Sequence, residues 1–121
     1  GIGQFSMMCA KNNFDITYFD LDGVIKKYAL WRFNKHNCNV KIVSDFPLNE
    51  KWDLVNVMDV LEHLENPDEV ISLLNQNAKY IFCNPDQIPY NLIYPQHISK
   101  FDITKSFELV DGFLWKNKNL D

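Results

Sequence analysis

Residues 51–70 read KWDLVNVMDVLEHLENPDEV, and this stretch sets the fold class. Trp52 to Val60 reads as a strand, and Leu61-Glu62-His63-Leu64 breaks it. A helix start follows. Asn66 stands at the N-cap and Pro67 at the first helical position, where its missing N–H costs nothing. Asp68 and Glu69 complement the positive end of the helix dipole. Val70, Ile71, Leu73 and Leu74 supply the buried stripe, and Tyr80 to Cys83 reads as the next strand. Strand, helix, strand is the unit from which parallel sheets are built.

The same alternation continues outward. Towards the N-terminus, Gly1-Ile2-Gly3 leads into a helix over Gln4 to Lys11, with Phe5, Met8 and Cys9 at helical spacing, which Asn12-Asn13 ends. Phe14 to Phe19, FDITYF, reads as a buried strand that stops at Asp20. Gly23 to His36 reads as a half-buried helix, with Val24, Ile25, Tyr28, Ala29, Trp31 and Phe33 apolar and Lys26, Lys27 and Lys35 between. Val40 to Val43 is a short strand before a loop through Pro47 and Asn49. Towards the C-terminus, a loop with Pro89 and Pro95 leads to two strands, Phe107 to Val110 and Phe113 to Lys116, turning at Gly112. The predicted fold is α/β: a Rossmann-like, mostly parallel sheet flanked by helices, with an antiparallel C-terminal hairpin, in one domain over 1–121. Glycines like Gly1 and Gly3 normally follow a buried strand, so a first strand is expected before Gly1.

Composition excludes several classes. With 121 residues, 46% hydrophobic and 23% charged, the chain fits an ordinary globular domain rather than a disordered or disulfide-stapled one. Net charge is −4, and Arg32 is the only arginine. There is no basic run to track a phosphate backbone, so direct nucleic-acid binding is not expected. Cys9, Cys38 and Cys83 are odd in number and form no CxxC, which reads as ordinary thiols in a reducing, cytoplasmic setting. His36 and Cys38 are too few for a zinc site, and no metal ligands are assigned. No apolar run reaches the ~20 residues that cross a bilayer, so no membrane association is expected. Oligomeric state is open.

In parallel α/β sheets, ligands bind beyond the carboxyl ends of the strands. The residues there are Gly1, Gly3, Asp20, Leu21, Ser44, Asp45, Met58, Asp59, Asn84 and Pro85. Most are acidic or small, which suits a ligand bearing hydroxyls and an amine.

The Gly1-Ile2-Gly3 start, the acid in ITYFDLDG, Asp45-Phe46 and the D-V-L-E-H run of 59–63 together resemble class I S-adenosylmethionine-dependent methyltransferases of the small-molecule type. YPQHISKF, at 94–101, resembles a later segment of the same family. The resemblance implies S-adenosylmethionine as cofactor and a small-molecule methyl acceptor. Gly1 and Gly3 would admit the methionine part, and Asp20 would accept from both ribose hydroxyls. Leu21 would pack on the adenine. Asp45 would take the adenine amino group, and the Phe46 N–H a ring nitrogen. The carbonyl near Met58 would take the methionine ammonium. His63 and His97 are the candidate general bases for an oxygen acceptor.

Each assignment has a plainer counterpart. Asp22 reads as a solvated residue or helix cap, Asp45 as a loop cap, and His63 as a hydrogen-bonding partner of a loop. His36 reads as solvated at a helix end. Trp31, Trp52 and Trp115 read as core and edge packing. A second functional class also fits part of the chain. FDLDGVI, at 19–25, resembles the D-x-D-G-V motif of haloacid-dehalogenase-type phosphohydrolases, with Asp20 as nucleophile and Asp22 as acid/base around Mg²⁺, but the downstream metal pattern of that class is missing. A nicotinamide-binding domain ranks third, because Ser6 replaces the last glycine of GxGxxG. A non-catalytic methyltransferase-like interaction module is the remaining reading.

Overall fold

A computed structural model of the chain describes residues 1–46, 49–84 and 96–120. Pro47, Pro85 and the predicted loop around Pro89 and Pro95 lie outside the described residues. The chain is mixed α/β and forms two compact units, Gly1–Pro47 and Leu48–Asp121.

The first unit runs α1 (Gln4–Lys11), β1 (Thr17–Phe19), α2 (Val24–Lys35) and β2 (Lys41–Val43). β1 and β2 pair in parallel, Thr17 opposite Lys41 and Phe19 opposite Val43. Both helices lie within a residue of their predicted limits. The strand predicted over Phe14 to Phe19 shortens to three residues, of which only Tyr18 is buried, while Phe14 is exposed. Asn13, in the left-handed region at φ 63°, turns the chain between α1 and β1.

Met7, Tyr18, Ala29 and Phe33 form the core of this unit, with Leu30, Cys38 and Val40 packed against it. Tyr18 meets Phe33 edge to face at 5.2 Å. That contact decides which side of α2 faces inward. Lys26, Ala29 and Phe33 are buried, whereas Val24, Ile25, Tyr28 and Trp31 are exposed. The predicted solvated position of Lys26 and buried position of Trp31 are thus exchanged. Lys26 lays its aliphatic stem along the core and carries its ammonium to Asp22 Oδ1 at 2.9 Å. Trp31 instead stacks on Tyr28 at the surface.

Gly3 enters α1 at φ 72°, and a Cβ placed there would lie 2.4 Å from the Phe33 ring and 3.3 Å from the Ala29 Cβ. Close packing therefore demands glycine at this position before any ligand is invoked. A Gly3→Ala change is expected to destabilise the first unit by about 1–3 kcal/mol, through left-handed strain and overpacking. Faster amide exchange at Ala29 and Phe33 would show it. Unchanged exchange would mean that the Phe33 ring yields.

The second unit runs β3 (Trp52–Asn56), a 3₁₀ turn (Leu61–His63), α3 (Pro67–Asn77), β4 (Ala78–Phe82), β5 (Phe107–Asp111) and β6 (Leu114–Asn117). Its sheet has the order β3-β4-β6-β5. β3 and β4 pair in parallel across the α3 crossover. β4–β6 and β6–β5 are antiparallel, so the expected C-terminal hairpin is present and the sheet of this unit is mixed. The predicted strand from Trp52 to Val60 ends early, at Asn56. There the Asn56 Oδ1 accepts the Met58 N–H at 3.0 Å, and Asp59 turns into the left-handed region at φ 53°.

Val57, Leu61, Ile71, Leu74, Ala78, Ile81, Cys83, Phe101, Ile103, Phe107 and Trp115 form one core. Pro67 opens α3 as predicted, but the Asn66 side chain makes no capping bond. The other end of α3 is held by side chains from elsewhere. Asn117 of β6 donates its Nδ2 to the carbonyls of Asn75, at 2.7 Å, and Ala78, at 2.9 Å. Lys51 Nζ donates to the Gln76 carbonyl. These groups satisfy carbonyls that a helix end leaves without partners. Among the described residues, no helix is long and apolar enough to cross a membrane.

Candidate functional site

Parallel pairing of β1 and β2 carries their carboxyl ends to the same side, so Asp20-Leu21 and Ser44-Asp45-Phe46 emerge together in the first unit. Phe46 meets Phe19 edge to face at 5.9 Å. Leu21 is 78% exposed and offers an apolar surface. Asp45 is exposed and accepts from the Ser44 hydroxyl at 3.3 Å. Gly1 belongs to this end too. Its backbone nitrogen donates to Asp20 Oδ2, and its carbonyl accepts from the Tyr18 hydroxyl at 2.6 Å.

The Asp20 carboxylate gathers donors. Besides the Gly1 nitrogen it accepts from the Leu21 N–H at 2.8 Å and from the Tyr18 hydroxyl at 3.1 Å. Burial pushes its pKa up, while the hydrogen bonds from the Leu21 N–H and the Tyr18 hydroxyl pull it down. Burial also raises the Tyr18 hydroxyl, and the Asp20 charge adds to it. Tyr18 therefore stays a neutral donor. Asp22 differs sharply from Asp20: it is exposed, and its pairing with Lys26 lowers its pKa.

In the second unit, the ends of β3 and β4 lie side by side, Asn56 opposite Phe82. Asp59 Oδ1 accepts from Asn84 Nδ2 at 2.6 Å across this pair. Met58 sits at the same end and is half-buried. The 3₁₀ turn then presents Glu62 and His63. His97 meets His63 with ring centroids 4.8 Å apart and planes at 82°. The two histidines nominated as alternatives for one role are thus neighbours. His63 Nδ1 lies 2.9 Å from the Gln96 carbonyl, as the loop-anchoring reading expects.

Glu62 is the residue that sequence reading missed. It is buried, and its carboxylate shares a cluster with the His63 and His97 rings. Burial pushes the nearby Cys83 thiol up to about 12, and the Glu62 charge adds to it. The sequence signal was the adjacency of Glu62 and His63; nothing local pointed to His97 as their partner. His36 ends α2 and is exposed, as predicted. Trp115 is buried in the core, and its indole N–H donates to the Cys83 carbonyl at 3.2 Å.

No protein-family model, no curated protein and no solved structure matches this chain. The functional reading therefore stands on the residues and their arrangement.

Proposed function

We propose that this chain binds S-adenosylmethionine and transfers its methyl group to a small-molecule acceptor, as a cytoplasmic methyltransferase. One observation carries the reading. Asp20, Leu21, Asp45 and Phe46 converge beyond the carboxyl ends of two parallel strands, and Asp20 is a carboxylate that gathers donors. In this reading the ribose hydroxyls donate to the Asp20 carboxylate. Leu21 covers an adenine face, and Asp45 and the Phe46 N–H meet its edge. Gly1, where nothing lies within 4 Å of a placed Cβ, leaves room for the methionine part. A Rossmann-like fold belongs to the same proposal.

The chemistry asks little of the protein. The sulfonium is already an activated donor, so the chain must hold an acceptor in line with the methyl group. For an oxygen acceptor, His63 or His97 would take the proton.

Calorimetric titration with S-adenosylhomocysteine, in the presence of a chelator, tests the proposal. We expect one nucleoside per chain, and Asp20→Asn to weaken binding by roughly a hundredfold with the fold intact, because an amide loses the charge and puts an NH₂ donor in place of one acceptor oxygen. Binding unchanged in Asp20→Asn would remove the site. Failure of S-adenosylhomocysteine to bind, with Mg²⁺-dependent binding of a phosphate mimic in its place, would transfer Asp20 and Asp22 to phosphohydrolase roles.

A further inference from the structure

We propose that Glu62, His63 and His97 form a binding site for a divalent zinc-class cation, with one coordination position left open. The proposal does not depend on methyl transfer. The three ligand atoms, one carboxylate oxygen and two imidazole nitrogens, all lie within 4.8 Å of one another. In a tetrahedral site with bonds near 2.0–2.1 Å, ligand atoms stand about 3.3 Å apart.

Two further features prepare the site. First, the Gln96 carbonyl can only accept, so the proton of a neutral His63 sits on Nδ1. That leaves the lone pair on Nε2 for a metal, the backbone-carbonyl arrangement that orients metal-bound histidines. Second, the segment carrying His97 is fastened to the turn carrying Glu62 and His63. The Glu62 carbonyl accepts from the N–H groups of Ile98, at 2.9 Å, and Ser99, at 3.2 Å. The Ser99 hydroxyl donates to the Leu64 carbonyl. Ligands from two distant parts of the sequence are therefore held in register by backbone bonds, as a preorganised site requires.

The donor set selects the ion. Two imidazoles and one carboxylate suit Zn²⁺ and Co²⁺, whereas Mg²⁺ and Ca²⁺ prefer oxygen throughout. Three protein ligands leave a fourth position for an oxygen of water or substrate.

The test uses the full chain, stripped of metal, titrated with Zn²⁺ alone and in parallel with Mg²⁺. We expect one high-affinity Zn²⁺ per chain and no comparable Mg²⁺ binding. His63→Ala and His97→Ala should each weaken Zn²⁺ by about tenfold or more, and Glu62→Gln should also weaken it. His36→Ala, which alters the remaining histidine of the sequence, should leave the affinity unchanged. The Co²⁺-loaded chain should show the visible absorption of a four-coordinate site, lost in His63→Ala. His63 is exposed, so its removal spares the core, and circular dichroism of that variant checks the fold. No Zn²⁺ binding, or binding of equal strength in folded His63→Ala, would overturn the proposal. Neither result bears on S-adenosylhomocysteine, which is titrated separately with chelator present.

Discussion

Replacing Phe107 by alanine is expected to destabilise the second unit by about 3–5 kcal/mol, the usual cost of deleting a buried aromatic ring. Phe107 is 1% exposed and is among the largest fully buried side chains of the described residues. It sits at the start of β5 opposite Asn117. Its N–H is spent on the Ile103 carbonyl at 2.9 Å, so the backbone is tied down and cannot easily follow the missing ring inward. The cavity would stay open, which places the cost in the upper part of the range. Thermal unfolding should fall by more than about 12 °C for a unit of this size. Leu109→Ala, on the same strand but 54% exposed, should change stability by no more than about 0.5 kcal/mol. Equal effects of the two changes would mean that β5 does not pack as described.

The second large effect is expected at Asn117, which is 1% exposed. Its side chain donates to the Asn75 and Ala78 carbonyls and accepts the Asn119 N–H at 2.8 Å. Asn117→Ala removes both donors and leaves two inward carbonyls without them, at about 2–4 kcal/mol in all. Asn117→Asp should be worse, although the shapes match. It keeps the acceptor for Asn119 but turns a carboxylate oxygen towards the two carbonyls, and like partial charges then face each other in a dry site. The expected order in urea is wild type, then alanine, then aspartate, with the slope unchanged. Aspartate more stable than alanine would show that the site is wet.

The sequence was informative wherever local chemistry decided the structure. Asn12-Asn13 ends α1 and Pro67 starts α3, because these residues act on the backbone within a turn. The turn at Gly112 was legible for the same reason; its φ of 53° suits a residue without a Cβ. It was less informative where two choices had equal local merit. Either side of α2 is apolar enough to be buried, and Tyr18, on a separate strand, made the choice. FELVD at 107–111 and LWKN at 114–117 do not by themselves say that β6 rather than β5 pairs with β4. Of the candidate site, the strand-end residues were legible from position alone. The pairing of His63 with His97 was not, because α3 and β4 lie between them in the chain and only the folded second unit closes that gap.

The place of β6 has a consequence for biosynthesis. It follows β5 in the chain but is an interior strand of the sheet, lying between β4 and β5. A ribosome delivers residues in order, so β3, α3 and β4 emerge well before their remaining partner. Until residue 117 clears the exit tunnel, one edge of β4 lacks its antiparallel neighbour and the Asn75 and Ala78 carbonyls lack the Asn117 amide. The nascent second unit thus carries an open strand edge, a surface prone to mispairing. Its folding is closed only when β6 emerges, and a translational pause just before that strand would prolong its most vulnerable state.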